Sequence, residues 1–167
     1  MPLEHGAWAD ASSWDRVIRL LQDDGFTVYA PPNPLRGLPQ DSAYLHAFLT
    51  QNAALAGQPV VLVGHSYGGA VITNAAVNAP EVKALVYVDA FIPARYETLL
   101  QLTSAQPGSC LGGNPANVFN FVPSPVEAVM LTPTSSPAWS PTASPPGCRP
   151  ARPRSSPPFS GRWRPAP

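Results

Sequence analysis

From Ser12 onward, apolar residues fall at Trp14, Val17, Ile18 and Leu21, one face of a helix. Ser12 with Asp15 three residues later has the form of a capping box, and Gly25 stands where a left-handed C-terminal residue is wanted. Phe26 to Ala30 is a short β-prone run stopped by Pro31 and Pro32, which predicts a strand. A second amphipathic helix is predicted from about Asp41 to Ala56. Leu45, Phe48, Leu49 and Leu55 lie on one face, Asp41 or Ser42 serves as cap, His46 is on the solvent side and Gly57 ends the helix. Val60 to Val63 is continuously apolar, as in a strand buried on both faces of a parallel sheet. Tyr67 to Ala79, rich in Ala and Gly and closed by Pro80, reads as a tightly packed helix, and Ala84 to Val88 as another buried strand ending at Asp89. Helices and strands alternate with crossovers of a dozen residues or more, the pattern of a parallel α/β sheet with right-handed connections.

Beyond Phe91 the periodicity fades. Tyr96 to Leu102 suits a helical turn or two, Asn114 to Pro125 holds too many breakers for a regular element, and residues 94–130 read as a cap-like or irregular region. Composition then breaks sharply. All ten acidic residues lie between Glu4 and Glu127 with only five basic ones, whereas residues 131–167 hold five Arg, eleven Pro, seven Ser and no acid. A net charge of zero thus conceals an acidic core and a basic tail. Proline at nearly every third position forbids helix and ladder alike, so the tail is expected to be disordered. Three readings of it stay open: a Pro-rich linker, a basic or PxxP arm around Pro150 and Pro153, or the out-of-frame translation of a GC-rich gene.

One domain is expected for 167 residues. The two cysteines cannot build a disulfide scaffold, and no apolar run approaches the roughly 18 residues of a membrane span. Met1 to Gly6 show no signal-peptide pattern, so the expected location is cytoplasmic, with no membrane or nucleic-acid partner. No metal-ligand cluster, dinucleotide fingerprint or P-loop is present, and no cofactor or metal is expected.

The chemistry concentrates in Gly64-His65-Ser66-Tyr67-Gly68-Gly69, which leaves a predicted buried strand and opens a predicted helix. This is G-x-S-x-G in strand-turn-helix context: a sharp turn lifts the serine hydroxyl clear of the sheet, and flanking glycines let the two backbones approach. The helix N-terminus beneath favours a developing anion. A second piece, His5-Gly6-Ala7-Trp8, precedes the first helix and offers a backbone N–H of the type an acyl-transfer site takes from a second loop.

With both segments in view, the chain resembles the α/β-hydrolase superfamily, in particular the esterase-like branch related to plant methylesterases and hydroxynitrile lyases. The resemblance spans about Leu3 to Pro93, so residues 1–93 are expected to be an α/β-hydrolase core fragment with a mostly parallel sheet flanked by helices. It implies Ser66 as nucleophile and the amides of Ala7 and Tyr67 as oxyanion hole, with His5, Gly6, Gly64, His65, Gly68 and Gly69 in support. The implied activity is serine hydrolysis of a carboxylic ester of a small molecule. Cyanohydrin cleavage, haloperoxidase-like chemistry and a non-catalytic binding role are the alternatives on the same scaffold.

In this fold the triad acid and then a histidine follow the serine in sequence. No histidine follows His65, so the base is unassigned and activity is expected to be impaired. Asp89 is at a position some α/β hydrolases use for an acid, but lining the pocket or capping a turn suits it better. Only Met1 to Glu4 precede His5-Gly6, and they include Pro2, which cannot donate to a ladder. A stub at the sheet centre is expected to leave neighbouring backbone unpaired and the fold marginally stable.

Overall fold

The computed structural model describes residues 1–52 and 54–106, and the backbone of two further strands at 119–122 and 130–133. Its central sheet is built from β1 (Leu3–Glu4), β2 (Val60–Ser66) and β3 (Val82–Ala90), all parallel, in the order β1-β2-β3. Helices α1 (Asp15–Asp23), α2 (Leu38–Gln51) and α3 (Tyr67–Ala75) fill the crossovers. Among the described residues no helix is long and apolar enough to cross a membrane.

β2 explains the layering. Its successive side chains point to opposite faces. Val60 and Leu62 pack with Leu45 and Leu49 of α2 and Val71 and Ile72 of α3, while Val63, with Val61 beside it, joins Leu3, Trp14, Ile18 and Leu21 on the other side. Each face of the sheet therefore carries its own core, which is why the strand reads as an unbroken apolar run. β3 departs from that expectation. Ala84–Val88 is an unbroken apolar run expected to be buried, but Val86 and Val88 are more than 40% exposed, because their face of β3 lies outside both apolar clusters.

The N-terminal stub pairs more completely than its length suggests. Leu3 N–H donates to Tyr29 O at 2.8 Å, Tyr29 N–H to Met1 O at 3.0 Å, and Val63 N–H to Pro2 O at 3.0 Å. Pro2 needs only to accept, so its missing donor costs the ladder nothing there. The groups expected to be orphaned at the sheet centre are thus partnered along this stretch. The predicted strand over 26–30 is correspondingly reduced: it survives as a single parallel bridge between Pro2 and Tyr29, since so short a partner offers nothing more to pair with.

Helix boundaries also shift. The first helix is introduced by a 3₁₀ turn, Ala11–Trp14, capped by Asp10 rather than Ser12; Asp10 Oδ1 accepts from Ser12 N–H at 2.8 Å and Ser12 Oγ–H at 2.5 Å. Val17, assigned to the buried face, is 39% exposed. α2 begins at Leu38, after Gly37 in an extended positive-φ conformation and with Pro39 in its first turn, so Asp41 and Ser42 lie inside the helix and are buried. His46, expected in solvent, is half-buried and its Nδ1 lies 3.0 Å from Ala75 O, tying α2 to α3.

A short helix α4 (Leu99–Ser104) opens with a full capping box between Thr98 and Gln101, as the Tyr96–Leu102 pattern allows. Strands β4 (Phe119–Val122) and β5 (Met130–Pro133) pair antiparallel. This corrects two readings: Asn114–Pro125 does contain a regular element, and Leu131–Pro133, assigned to a disordered tail, belong to a strand. The remainder of that tail, 134–167, lies outside the described residues.

Candidate active site

The glycine-rich segment is an elbow in fact. Ser66 ends β2 and precedes the first residue of α3 with φ 53° and ψ −121°, a backbone conformation costly for any residue with a side chain. Four glycines make the surrounding approach possible. A Cβ on Gly64 would meet Gly68 O at 2.6 Å, one on Gly68 would meet Glu4 O at 2.5 Å and His5 O at 2.8 Å, and one on Gly69 would meet Phe91 O at 2.5 Å. A Cβ on Gly6 would meet Ser66 Cβ itself at 2.9 Å. The elbow is therefore clamped against β1 on one side and the end of β3 on the other. Phe91 N–H closes the clamp by donating to Ser66 O at 3.0 Å.

The segment after β1 lies directly against the serine through Gly6. His5 is buried, and its ring spans the turn: Asn33 N–H donates to Nε2 at 3.1 Å, which leaves Nδ1 to carry the proton and donate to Gly6 O at 2.9 Å. With both nitrogens engaged in that way, His5 holds the loop and has no free nitrogen for Ser66. His65, half-buried, meets Trp14 edge-on with ring centroids 6.3 Å apart, and its Nδ1 flanks Gly6. Trp8 follows with φ 60°, turning the chain away after Ala7. Ala7 and Tyr67 thus come from two segments that meet at Ser66, and Tyr67, as the first residue of α3, has an amide that no helical carbonyl can reach.

The profile of the Alpha/beta hydrolase family matches residues 3–167. The chain belongs to the alpha/beta hydrolase family. A carbendazim hydrolyzing esterase from Nocardioides sp. (strain SG-4G) is 31% identical to this hydrolase-family chain over 122 residues, 60% of this chain and 45% of the relative. Among solved structures, it is similar to an extracellular alpha/beta-hydrolase from a Paenibacillus species, said to share structural and functional homology with tobacco Salicylic Acid Binding Protein 2. That likeness has 25% identity and a TM-score of 0.50, and covers 73% of this chain and 54% of the other. The chain spans about half the length of the relatives it matches.

Asp89 stands near the end of β3, exposed and with φ 44°, one residue before the register partner of Ser66, Ala90. It shares the carboxyl edge of the sheet with the serine.

Sequence reasoning missed a group beneath the elbow. Asp41, taken for a helix cap, is 1% exposed and accepts from Arg36 N–H at 2.9 Å and from the Tyr67 hydroxyl at 2.7 Å. Glu4, in β1, is 2% exposed and its Oε2 has no hydrogen-bond partner. Burial first, and then the charge of Asp41, push its carboxyl up to about 8, while the Asn33 side chain pulls the other way. The Tyr67 hydroxyl is likewise held protonated well above its usual range by burial and by its bond to Asp41. An acidic residue before His-Gly in an otherwise apolar β1 was the available signal.

Proposed function

We propose that this chain carries the nucleophilic half of a serine hydrolase acting on a carboxylic ester of a small molecule. The observation that carries the reading is Ser66 at φ 53°, ψ −121° between four glycines whose missing side chains admit the clamp. Strain of this kind persists only where the surrounding structure enforces it, and here it presents a hydroxyl at the N-terminus of a helix. In the proposed reaction Ser66 Oγ attacks the ester carbonyl and its proton passes to a base. The carbonyl oxygen takes the negative charge and is held by the Ala7 and Tyr67 amides. Collapse expels the alcohol, and water then releases the acid from the acyl-serine.

The base is the weak part. The sequence offers no histidine after His65, and His5 is committed to the loop. Acylation is therefore expected to be slow and deacylation slower, because the same group would activate the water. Incubation with p-nitrophenyl acetate, followed by intact and peptide mass spectrometry, tests this. The expected result is a slow release of nitrophenol with an acetyl adduct accumulating on Ser66, absent in Ser66→Ala. Equal release by Ser66→Ala, with no adduct on the native chain, would overturn the assignment.

A further inference from the structure

Two buried carboxyl groups beneath the elbow are not needed for the reaction just described, yet one of them touches it. Asp41 uses both oxygens: Oδ1 fixes the start of α2 through Arg36 N–H, and Oδ2 accepts from the hydroxyl of Tyr67, whose own amide borders Ser66. Glu4 lies on the strand against which α3 rests, where its carbonyl oxygen is the atom that a Cβ on Gly68 would meet first, at 2.5 Å. From the elements around it, Glu4 faces Asp41 of α2, Tyr67 of α3 and Asn33 of the preceding loop, and its β2 register partner is Gly64. His5 alongside is occupied by Gly6 and Asn33. Among the described residues no cation is paired with either carboxyl; Arg36 contributes only its backbone amide.

Two negative charges in so enclosed a place repel, and each loses hydration. Asp41 receives two donated hydrogen bonds and is the better place for a single charge, whereas Glu4 Oε2 receives none. We propose that Asp41 is a positioning residue that holds Tyr67, and with it the elbow, and that Glu4 must carry a proton for that hold to persist, so that the pair forms a proton-gated latch under Ser66. When Glu4 loses its proton, the second charge must draw in solvent or move, and the strand that would move is the seat of α3. The positioning half rests on the reading of Ser66 as nucleophile; the proton half does not.

Two measurements on the full chain separate them. In the first, the side-chain carboxyl carbons of ¹³C-labelled glutamate are followed by NMR from pH 4 to 10. One of the four glutamates is expected to titrate near 8, and that signal should vanish in Glu4→Gln; titration of every glutamate near the ordinary carboxylate value would overturn the proton half. In the second, the rate of Ser66 modification by a fluorophosphonate is compared between the native chain and Glu4→Gln from pH 6 to 9.5. Their ratio cancels the general rise of rate with pH. It is expected to be near one at pH 6 and to fall about tenfold against the native chain above pH 8.5, the size expected for losing a hydrogen bond to a charged group. A constant ratio alongside a Glu4 titration near 8 would overturn the positioning half. No Ser66 modification in either chain, with the titration present, would instead overturn the nucleophile reading. Asp41→Asn should slow modification about tenfold at pH 7 with its near-ultraviolet circular dichroism retained, and an unchanged rate there would also count against positioning.

Discussion

Replacing Gly68 by Ala is the sharpest test of how α3 sits on β1, because two effects oppose each other and their sign can be read. In a helix, Ala is favoured over Gly by about 1 kcal/mol. Against this, the new methyl would lie 2.5 Å from Glu4 O and 2.8 Å from His5 O, about 0.9 Å and 0.6 Å short of ordinary contact at 3.4 Å. Both obstacles are backbone, so no rotamer change relieves them and α3 must move off the strand. Overpacking of this kind costs about 1–3 kcal/mol, and backbone on two sides argues for the upper end. The net expectation is a loss of about 2 kcal/mol, hence a midpoint lowered by about 4–8 °C in a chain of this length. Thermal and urea unfolding followed by circular dichroism would measure it. A variant as stable as the native chain, or more stable, would refute the close seating of α3 on β1, and with it the clamp that positions Ser66.

Ser66→Gly should raise stability by about 1 kcal/mol, read by urea unfolding, because glycine accepts the positive φ that serine holds under strain; a destabilised variant would show the elbow to be unstrained. Leu62→Ala removes a fully buried side chain from the centre of β2 and should cost about 2–5 kcal/mol in the same assay, with a loss below 1 kcal/mol contradicting the placement of the core. Stability should also depend on pH. The folded Glu4 carboxyl sits near 8 against an ordinary 4.5, so its stabilising contribution is complete below 4.5 and is lost as pH rises toward 8. The shift corresponds to at most about 5 kcal/mol over that window. Glu4→Gln should flatten this slope in urea titrations at pH 5, 6.5 and 8, and an unaltered slope would refute it.

Much of this arrangement was legible in the sequence because its strongest constraints are local. Gly64, Gly68 and Gly69 around Ser66 announce a strand-to-helix approach that only glycine permits, and the apolar run at 60–63 announces a strand covered on both faces. What was misread depended on distant partners. Asp41 matches an N-cap by pattern, and only the packing of α2 against α3 shows that its carboxylate serves Tyr67. Phe26 to Ala30 has the composition of a strand, but pairing is set by its neighbour, and β1 gives it one bridge. Val86 and Val88 look buried by composition, whereas exposure follows from what covers their face of β3. Glu4 is marked in the sequence only as an acid beside Leu3 and before His5-Gly6, which does not disclose its role, since burial of a carboxyl is a property of the assembled core.

A clamped elbow that presents Ser66 as a nucleophile should make this serine chemically reactive. The most direct measurement treats the native chain and Ser66→Ala with a fluorophosphonate at pH 7 and maps the adduct by peptide mass spectrometry. Slow labelling confined to Ser66 is the expected result. Labelling that persists in Ser66→Ala, or a native chain left wholly unmodified after prolonged exposure, would contradict it.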